Sequence, residues 1–113
     1  MKNSLLNAYK KYSSYTSEEI KNDLPTFMGA LSFLVEEICN ADAASLKQLL
    51  TDEVKKDFFS PAPWIRLIII RNVMSKSPKN KVFFEWAINN LSLFYHPQSR
   101  IILELHELIN QDS

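Results

Sequence analysis

Glycine is almost absent from this sequence, and its scarcity restricts the folds that the chain can adopt. Among 113 residues there is one glycine, Gly29. Tight β-hairpins and phosphate-binding loops depend on glycine for positive φ angles or for close backbone approach, whereas helical bundles need few glycines. Five prolines punctuate the chain: Pro25, Pro61, Pro63, Pro78 and Pro97. Each proline is compatible with the first turn of a helix, where the missing N–H costs nothing. We therefore predict an all-α fold.

The spacing of apolar residues indicates where the helices lie. In the first segment, Leu5, Ala8, Tyr9 and Tyr12 follow the helical period and fall on one face. The same reasoning predicts six or seven short helices, near residues 4–12, 17–23, 25–40, 43–59, 64–74, 81–95 and 101–109. No long linker divides them, so residues 1–113 are expected to form one domain, a compact bundle. The regular spacing of the last three helices suggests solenoid-like packing as a variant of that bundle.

Two of the predicted helices begin with recognisable capping signals. Thr16 and Glu19 have the spacing of a capping box, in which each side chain bonds the other residue's backbone N–H. Asp42 is a suitable N-cap for the helix that follows it. Gly29 lies inside the third helix, where glycine costs up to about 1 kcal/mol relative to alanine. We expect a neighbouring helix to approach it closely, which would compensate that cost.

Residues 64–74 are ambiguous between helix and strand. The run Ile68-Ile69-Ile70 has high β propensity. However, Ile65, Ile68, Ile69 and Val73 also fit a helical stripe. A single strand would have no pairing partner in a helical protein, so the interpretation that we favour is a buried helix.

Composition and hydropathy place the chain among globular proteins. Hydrophobic residues make up 46% of the sequence, and 13 basic residues balance 13 acidic ones. The longest strongly apolar stretch, Leu67 to Ile70, is far too short to cross a bilayer, and no secretory signal is recognisable. These features predict a cytoplasmic protein that does not engage a membrane.

No constellation of residues indicates catalysis, a cofactor or a metal. His96 and His106 do not have a common zinc-ligand spacing, and the H-E-x-x-H pattern that begins at His106 fails because Asn110 stands at its second histidine position. Cys39 is the single cysteine and cannot form an internal disulfide; Glu36 and Glu37 just before it would raise its pKa. We therefore predict a protein that is not an enzyme, with no catalytic, cofactor-binding or metal-binding residues.

Charge is segregated along the chain although the net charge is zero. Residues 36–59 carry six acids and three bases, residues 60–100 carry six bases and one acid, and residues 101–113 carry three acids and no base. Two interpretations are open. The oppositely charged segments pair across the fold, or an acidic face is presented to a basic partner, which would speed encounter and set specificity.

A small helical chain with one glycine, no catalytic motif and segregated charge resembles the immunity proteins of toxin–immunity systems. It is most similar in these features to the helical immunity proteins of bacterial contact-dependent growth inhibition. The resemblance implies a stoichiometric inhibitor that binds the C-terminal toxin domain of a large effector inside the producing cell. Many such toxins are nucleases with basic clefts, and an acidic patch on the inhibitor would take the place of phosphate.

That resemblance gives a predicted partner-binding patch of acidic residues: Glu36, Glu37, Asp42, Asp52, Glu53 and Asp57. The second choice combines the C-terminal acids with tyrosines near the start of the chain: Glu104, Glu107, Tyr12 and Tyr15. An exposed aromatic residue at Tyr12, Tyr15 or Phe59 would add an anchor of the kind that dominates interface energetics.

The alternative function is a helical regulatory or adaptor protein, including one that associates with nucleic acid. It rests on a basic run without an intervening acid: Arg66, Arg71, Lys76, Lys79 and Lys81. The helix count suits a helix–turn–helix, but the turn usually requires glycine, and the helix after Pro78 is too apolar for a major groove. Zero net charge also argues against a protein that coats a phosphate backbone.

Overall fold

The computed structural model describes residues 3–53 and 63–111, which form seven α-helices, one π-helical turn and no strand. The helices are α1 (Asn3–Ser13), α2 (Ser17–Asn22), α3 (Leu24–Asn40), α4 (Ala43–Gln48), α5 (Pro63–Lys76), α6 (Lys81–Leu91) and α7 (Arg100–Asn110), and the π-helical turn (Leu49–Glu53) follows α4. The all-α prediction is confirmed, and the ambiguous segment at 64–74 is helical. No helix in these two stretches is long and apolar enough to cross a membrane.

Local capping bonds fix the beginnings of the early helices. The Glu19 N–H donates to Thr16 Oγ1 and the Thr16 N–H donates to Glu19 Oε1, both at 3.1 Å, so the capping box is present. The Ser45 N–H donates to Asp42 at 2.7 Å, which confirms Asp42 as the N-cap of α4. Asp23 caps α3 in the same manner, with Pro25 in the first turn.

Helix α3 is the centre of the packing, since it contacts α1, α2 and α5. Its buried stripe joins one hydrophobic core to which every helix contributes. The buried residues of α3 are Phe27, Ala30, Leu31, Leu34, Val35 and Ile38. Helix α5 is apolar on most sides, and Ile65, Ile69, Ile70 and Val73 have no solvent exposure at all. Isoleucines with high β propensity are therefore helical here because tertiary burial outweighs a weak local preference.

The C-terminal helices do not stack simply in sequence. The main contacts of α6 are with α7 and α4, while α5 packs chiefly on α3, as in a compact globule and not a solenoid. Helix α6 ends at Leu91, and the chain then tightens, with the Phe94 N–H donating to the Leu91 carbonyl. The prediction that this helix reaches residue 95 is wrong, because i→i+3 bonds from Leu93 and Phe94 interrupt the helical pattern before His96-Pro97.

The predicted helix at 43–59 gives way at Leu49 to the π-helical turn, and residues 54–59 lie outside the described stretches. The expectation that a helix approaches Gly29 closely is wrong, because none of the described helices comes within 4 Å of the position that a Cβ would occupy there. Gly29 instead faces solvent on α3.

Candidate functional site

The predicted acidic patch lies in part on the C-terminal end of α3. Glu36 is exposed and Glu37 is half-buried there, and Asp42 follows in the turn before α4. Asp52 and Glu53 belong to the π-helical turn, but their side chains, and the whole of Asp57 and Phe59, lie outside the described residues. Of the predicted patch, the structure thus describes the side chains of Glu36 and Glu37 on α3 and of Asp42 in the turn before α4.

Asp42 has a structural role that already occupies its carboxylate. It accepts the Ser45 N–H at 2.7 Å and the Ser45 hydroxyl at 3.0 Å. A capping carboxylate of this kind stabilises a helix start by roughly 0.5–2 kcal/mol. Within the described patch, Glu36 and Glu37 are thus the acids better suited to meet a partner.

Glu36 forms an ion pair with Lys76, which lies 40 positions further along the chain. Its Oε2 lies 3.3 Å from Nζ of Lys76, at the end of α5, and both side chains are about half exposed, at 58% and 49%. Exposed pairs of this type contribute only about 0–1 kcal/mol, so a competing cation can displace Lys76 at little cost. Charge pairing across the fold and presentation of an acid to a partner are therefore compatible at this position.

The second-choice acids on α7 are arranged differently. Glu104 binds two guanidinium groups, from Arg71 at 2.8 Å and from Arg100 at 3.0 Å. The hydrogen bond from Arg71 is the main reason that the pKa of Glu104 lies below its usual value, and Arg100 adds to it. Glu107 is exposed beside a shallow groove between α5 and α7. Because Glu104 is enclosed by two cations, it is a weaker candidate for binding a basic partner.

Neither predicted tyrosine is an exposed anchor. Tyr12 is only 2% exposed, so the expectation of an exposed ring at this position is wrong. Burial, followed by the influence of Tyr9, raises the pKa of Tyr12 although Arg66 opposes the shift. Tyr15 is half-buried, and its ring meets that of Phe27 edge-on at 5.5 Å between centroids. Both tyrosines pack around Phe27, where α1 and α2 approach α3.

An exposed aromatic residue that the sequence analysis missed stands beside Glu36. Phe33 is 51% exposed on the side of α3 that faces away from its buried stripe. Gly29, Ser32, Phe33 and Glu36 are all exposed and are spaced so that they share one side of the helix, which we call the α3 face. A signal for Phe33 was present in the sequence, since it is a large apolar residue off the apolar stripe.

The basic run that supports the nucleic-acid alternative does not form one cationic surface. Arg66 is 7% exposed, and its guanidinium carbon lies 4.0 Å from the centroid of the Phe94 ring. Arg71 and Lys76 are in ion pairs with Glu104 and Glu36. Lys79 and Lys81 are exposed around the α5–α6 turn. Three of the five cations are therefore engaged by other groups of the protein.

The groups with potential reactivity are dispersed. Cys39 is half-buried, and its pKa is raised first by burial and further by Glu36, against the effect of Lys76. His96 accepts the Gln98 N–H through Nδ1 at 3.0 Å, and His106 is exposed on α7. Over the stretches 3–53 and 63–111, no three His, Cys, Asp or Glu residues are grouped so as to hold a metal ion.

A cleft of about 250 Å³ lies between α6 and the end of α4. Its described lining comprises Lys47, Leu50, Thr51, Val82, Glu85, Trp86 and Asn89. These residues bring no cysteine or histidine to the cleft, so its described part lacks the nucleophile–base pairs that those residues form in hydrolases. Comparisons of the chain with protein families, with curated proteins and with solved structures find no match.

Proposed function

We propose that this protein is an immunity protein that binds a cognate toxin domain in the cytoplasm and neutralises it by a stoichiometric interaction. One observation carries the proposal: an exposed aromatic side chain, Phe33, stands one helical turn from the exposed carboxylate of Glu36 on the central helix of the fold. A buried aromatic anchor supplies affinity at protein interfaces, while a neighbouring charge supplies orientation and rate.

The charge of this surface suits a nuclease as the toxin. Lys76 neutralises one carboxylate, while Glu37 adds a second on the next position of α3. A nuclease cleft is lined by cations that bind phosphate, and carboxylates on an inhibitor occupy the same cations. The helical adaptor alternative has no comparable support, since three cations of its basic run are engaged within the protein.

Growth rescue in a bacterial host tests the proposal. The C-terminal domain encoded by the gene immediately upstream is expressed alone and together with this protein. We expect growth arrest in the first case, recovery in the second, and a one-to-one complex on copurification. A harmless upstream domain, or arrest that this protein does not relieve, would contradict the immunity function.

Matched variants then identify the surface responsible. Phe33→Ala removes the exposed aromatic residue from α3, and Leu103→Ala removes an apolar side chain of similar exposure, 45%, from α7. Both variants are expected to fold, because neither side chain belongs to the core. Growth rescue should be weakened by Phe33→Ala and not by Leu103→Ala. If only Leu103→Ala weakened growth rescue, the interface would lie on α7.

A further inference from the structure

Gly29 is unexplained by the fold of the chain itself. Its backbone is helical, and it lies well inside α3, where glycine lowers helix stability relative to alanine. A helical glycine is usually justified by a neighbouring element that leaves no room for a Cβ, but within residues 3–53 and 63–111 no neighbouring element comes within 4 Å of that position. A Cβ at this position would therefore meet no steric obstacle from the described residues.

The surroundings of Gly29 on the α3 face point outward to a partner. Ser32 and Phe33 follow at helical spacing and are exposed, and Glu36 continues the same side. The other sides of α3 are packed against α1, α2 and α5. On this side of α3 the exposed phenyl ring of Phe33 therefore has a residue without a side chain one turn before it and a carboxylate one turn after it.

We infer that the α3 face is the docking surface for the toxin domain, and that Gly29 leaves room for a part of that domain to contact the α3 backbone. This inference rests on the proposed function and specifies its geometry. Phe33 enters an apolar depression of the toxin, and the contact at Gly29 lies beside Phe33. Glu36 exchanges Lys76 for an arginine or lysine of the toxin.

The chemistry of the occupant follows from charge complementarity. Two carboxylates, Glu36 and Glu37, stand at this end of α3, and Lys76 offsets only one of them. The occupant must therefore present a cation next to an apolar surface. A guanidinium of the toxin can form two parallel hydrogen bonds to Glu36, which the single ammonium of Lys76 cannot match.

Substitution of Gly29 separates a role in binding from a role in folding. Gly29→Ala and Gly29→Gln both raise helix propensity, so each variant should unfold at a higher temperature than the wild type. We expect the affinity for the purified toxin domain to fall several-fold with alanine and by about tenfold or more with glutamine, as expected for a residue at the centre of an interface. Ser75→Gln, at an exposed small residue of α5, is the matched control and should leave affinity unchanged.

The possible results have distinct meanings. Higher thermal stability combined with weaker binding supports the α3 face, because a purely structural residue would not change the two quantities in opposite senses. If the wild type binds the toxin domain and Gly29→Gln binds it equally well, the docking surface lies elsewhere and this inference is overturned. If the wild type itself forms no complex, the proposed function fails, and the inference fails with it.

Discussion

Lys76 Nζ lies 3.3 Å from Glu36 Oε2, which links the end of α5 to the solvent-facing side of α3. The two residues are 40 positions apart in the chain, and both remain about half exposed. In the free protein, Lys76 occupies the carboxylate that the proposed interface uses. The ion pair therefore stabilises the fold slightly and, under the proposed function, competes with the toxin domain for Glu36.

Replacement of Lys76 by methionine should accelerate binding of a basic toxin domain. The variant frees Glu36 and makes the surface more negative, so the association rate constant should rise several-fold and depend more steeply on salt. Thermal stability should change by less than about 1 kcal/mol, as for other exposed ion pairs. Stopped-flow association at low and physiological ionic strength provides the measurement.

Lys79→Met is the control for that experiment, because it removes the same charge from the neighbouring turn without releasing Glu36. A larger acceleration by Lys76→Met than by Lys79→Met is expected. Equal rates for the two variants would mean that net charge alone, and not the freed carboxylate, governs association.

Acid should weaken the contact between α5 and α7. The hydrogen bond from Arg71, together with Arg100, holds the pKa of Glu104 below its ordinary value of 4.5. Since the folded pKa is lower than the unfolded one, the contribution of this carboxylate is complete above the unfolded pKa and is lost as the pH falls through the folded pKa. Urea unfolding of the wild type and of Glu104→Gln, from about pH 7 to about pH 3, measures the contribution of this carboxylate to stability.

The stability difference between those two proteins should be largest near neutral pH and should shrink below the ordinary pKa of 4.5. Glu107→Gln, one turn further along α7, is the control for removal of a carboxylate from this helix. A difference between wild type and Glu104→Gln that stays constant over the whole range would refute the link between this carboxylate and Arg71.

Alkaline pH should destabilise the protein through Tyr12. Burial raises the pKa of Tyr12 above the ordinary value of 10.0, so the unfolded chain loses this proton at a lower pH than the folded protein does. Stability is therefore retained below the unfolded pKa and declines as the pH rises above it. Thermal unfolding monitored between about pH 8 and about pH 11 should show a smaller decline for Tyr12→Phe than for the wild type. Tyr15→Phe is the control for loss of a phenolic hydroxyl beside Phe27.

The parts of this fold that sequence reasoning predicted are governed by short-range bonds. The capping box at Thr16 and the N-cap at Asp42 depend on residues three positions apart, so their spacing alone is sufficient. The ion pairs of Lys76 and Arg71 join residues 40 and 33 positions apart, and no local pattern specifies them. Segregated charge indicated that such pairs were possible, but tertiary packing decides which of them form.

Burial could likewise be predicted where it follows the helical period, but not where it depends on tertiary structure. The helical period of α1 already placed Tyr12 on one face with Leu5 and Ala8, and the structure confirms that these three residues are buried. The competing prediction, that Tyr12 is exposed, is wrong. Phe33 could have been identified because it lies off the stripe of α3. The exposure of Phe94 could not, since the apolar period continues past Leu91 and only the tightened turn removes Phe94 from the core.

Phe94 should stabilise the fold although it is 52% exposed, because its ring covers the guanidinium of Arg66. Arg66 is 7% exposed, and the distance of 4.0 Å from its guanidinium carbon to the ring centroid is suited to a cation–π interaction. We expect Phe94→Ala to reduce the free energy of unfolding by about 0.5–2 kcal/mol, as measured by chemical denaturation. Phe94→Leu should be intermediate, since it keeps apolar cover but lacks the π face.

The adjacent residue distinguishes this interaction from general apolar packing. Leu93 is 62% exposed in the same turn, so Leu93→Ala should change stability by less than about 0.5 kcal/mol. If Phe94→Ala lowered the free energy of unfolding no more than Leu93→Ala does, the Phe94 ring would not contribute to stability. If Phe94→Leu matched the wild type, burial of the Arg66 side chain and not the aromatic quadrupole would account for the stabilisation, because leucine covers the arginine without attracting its charge.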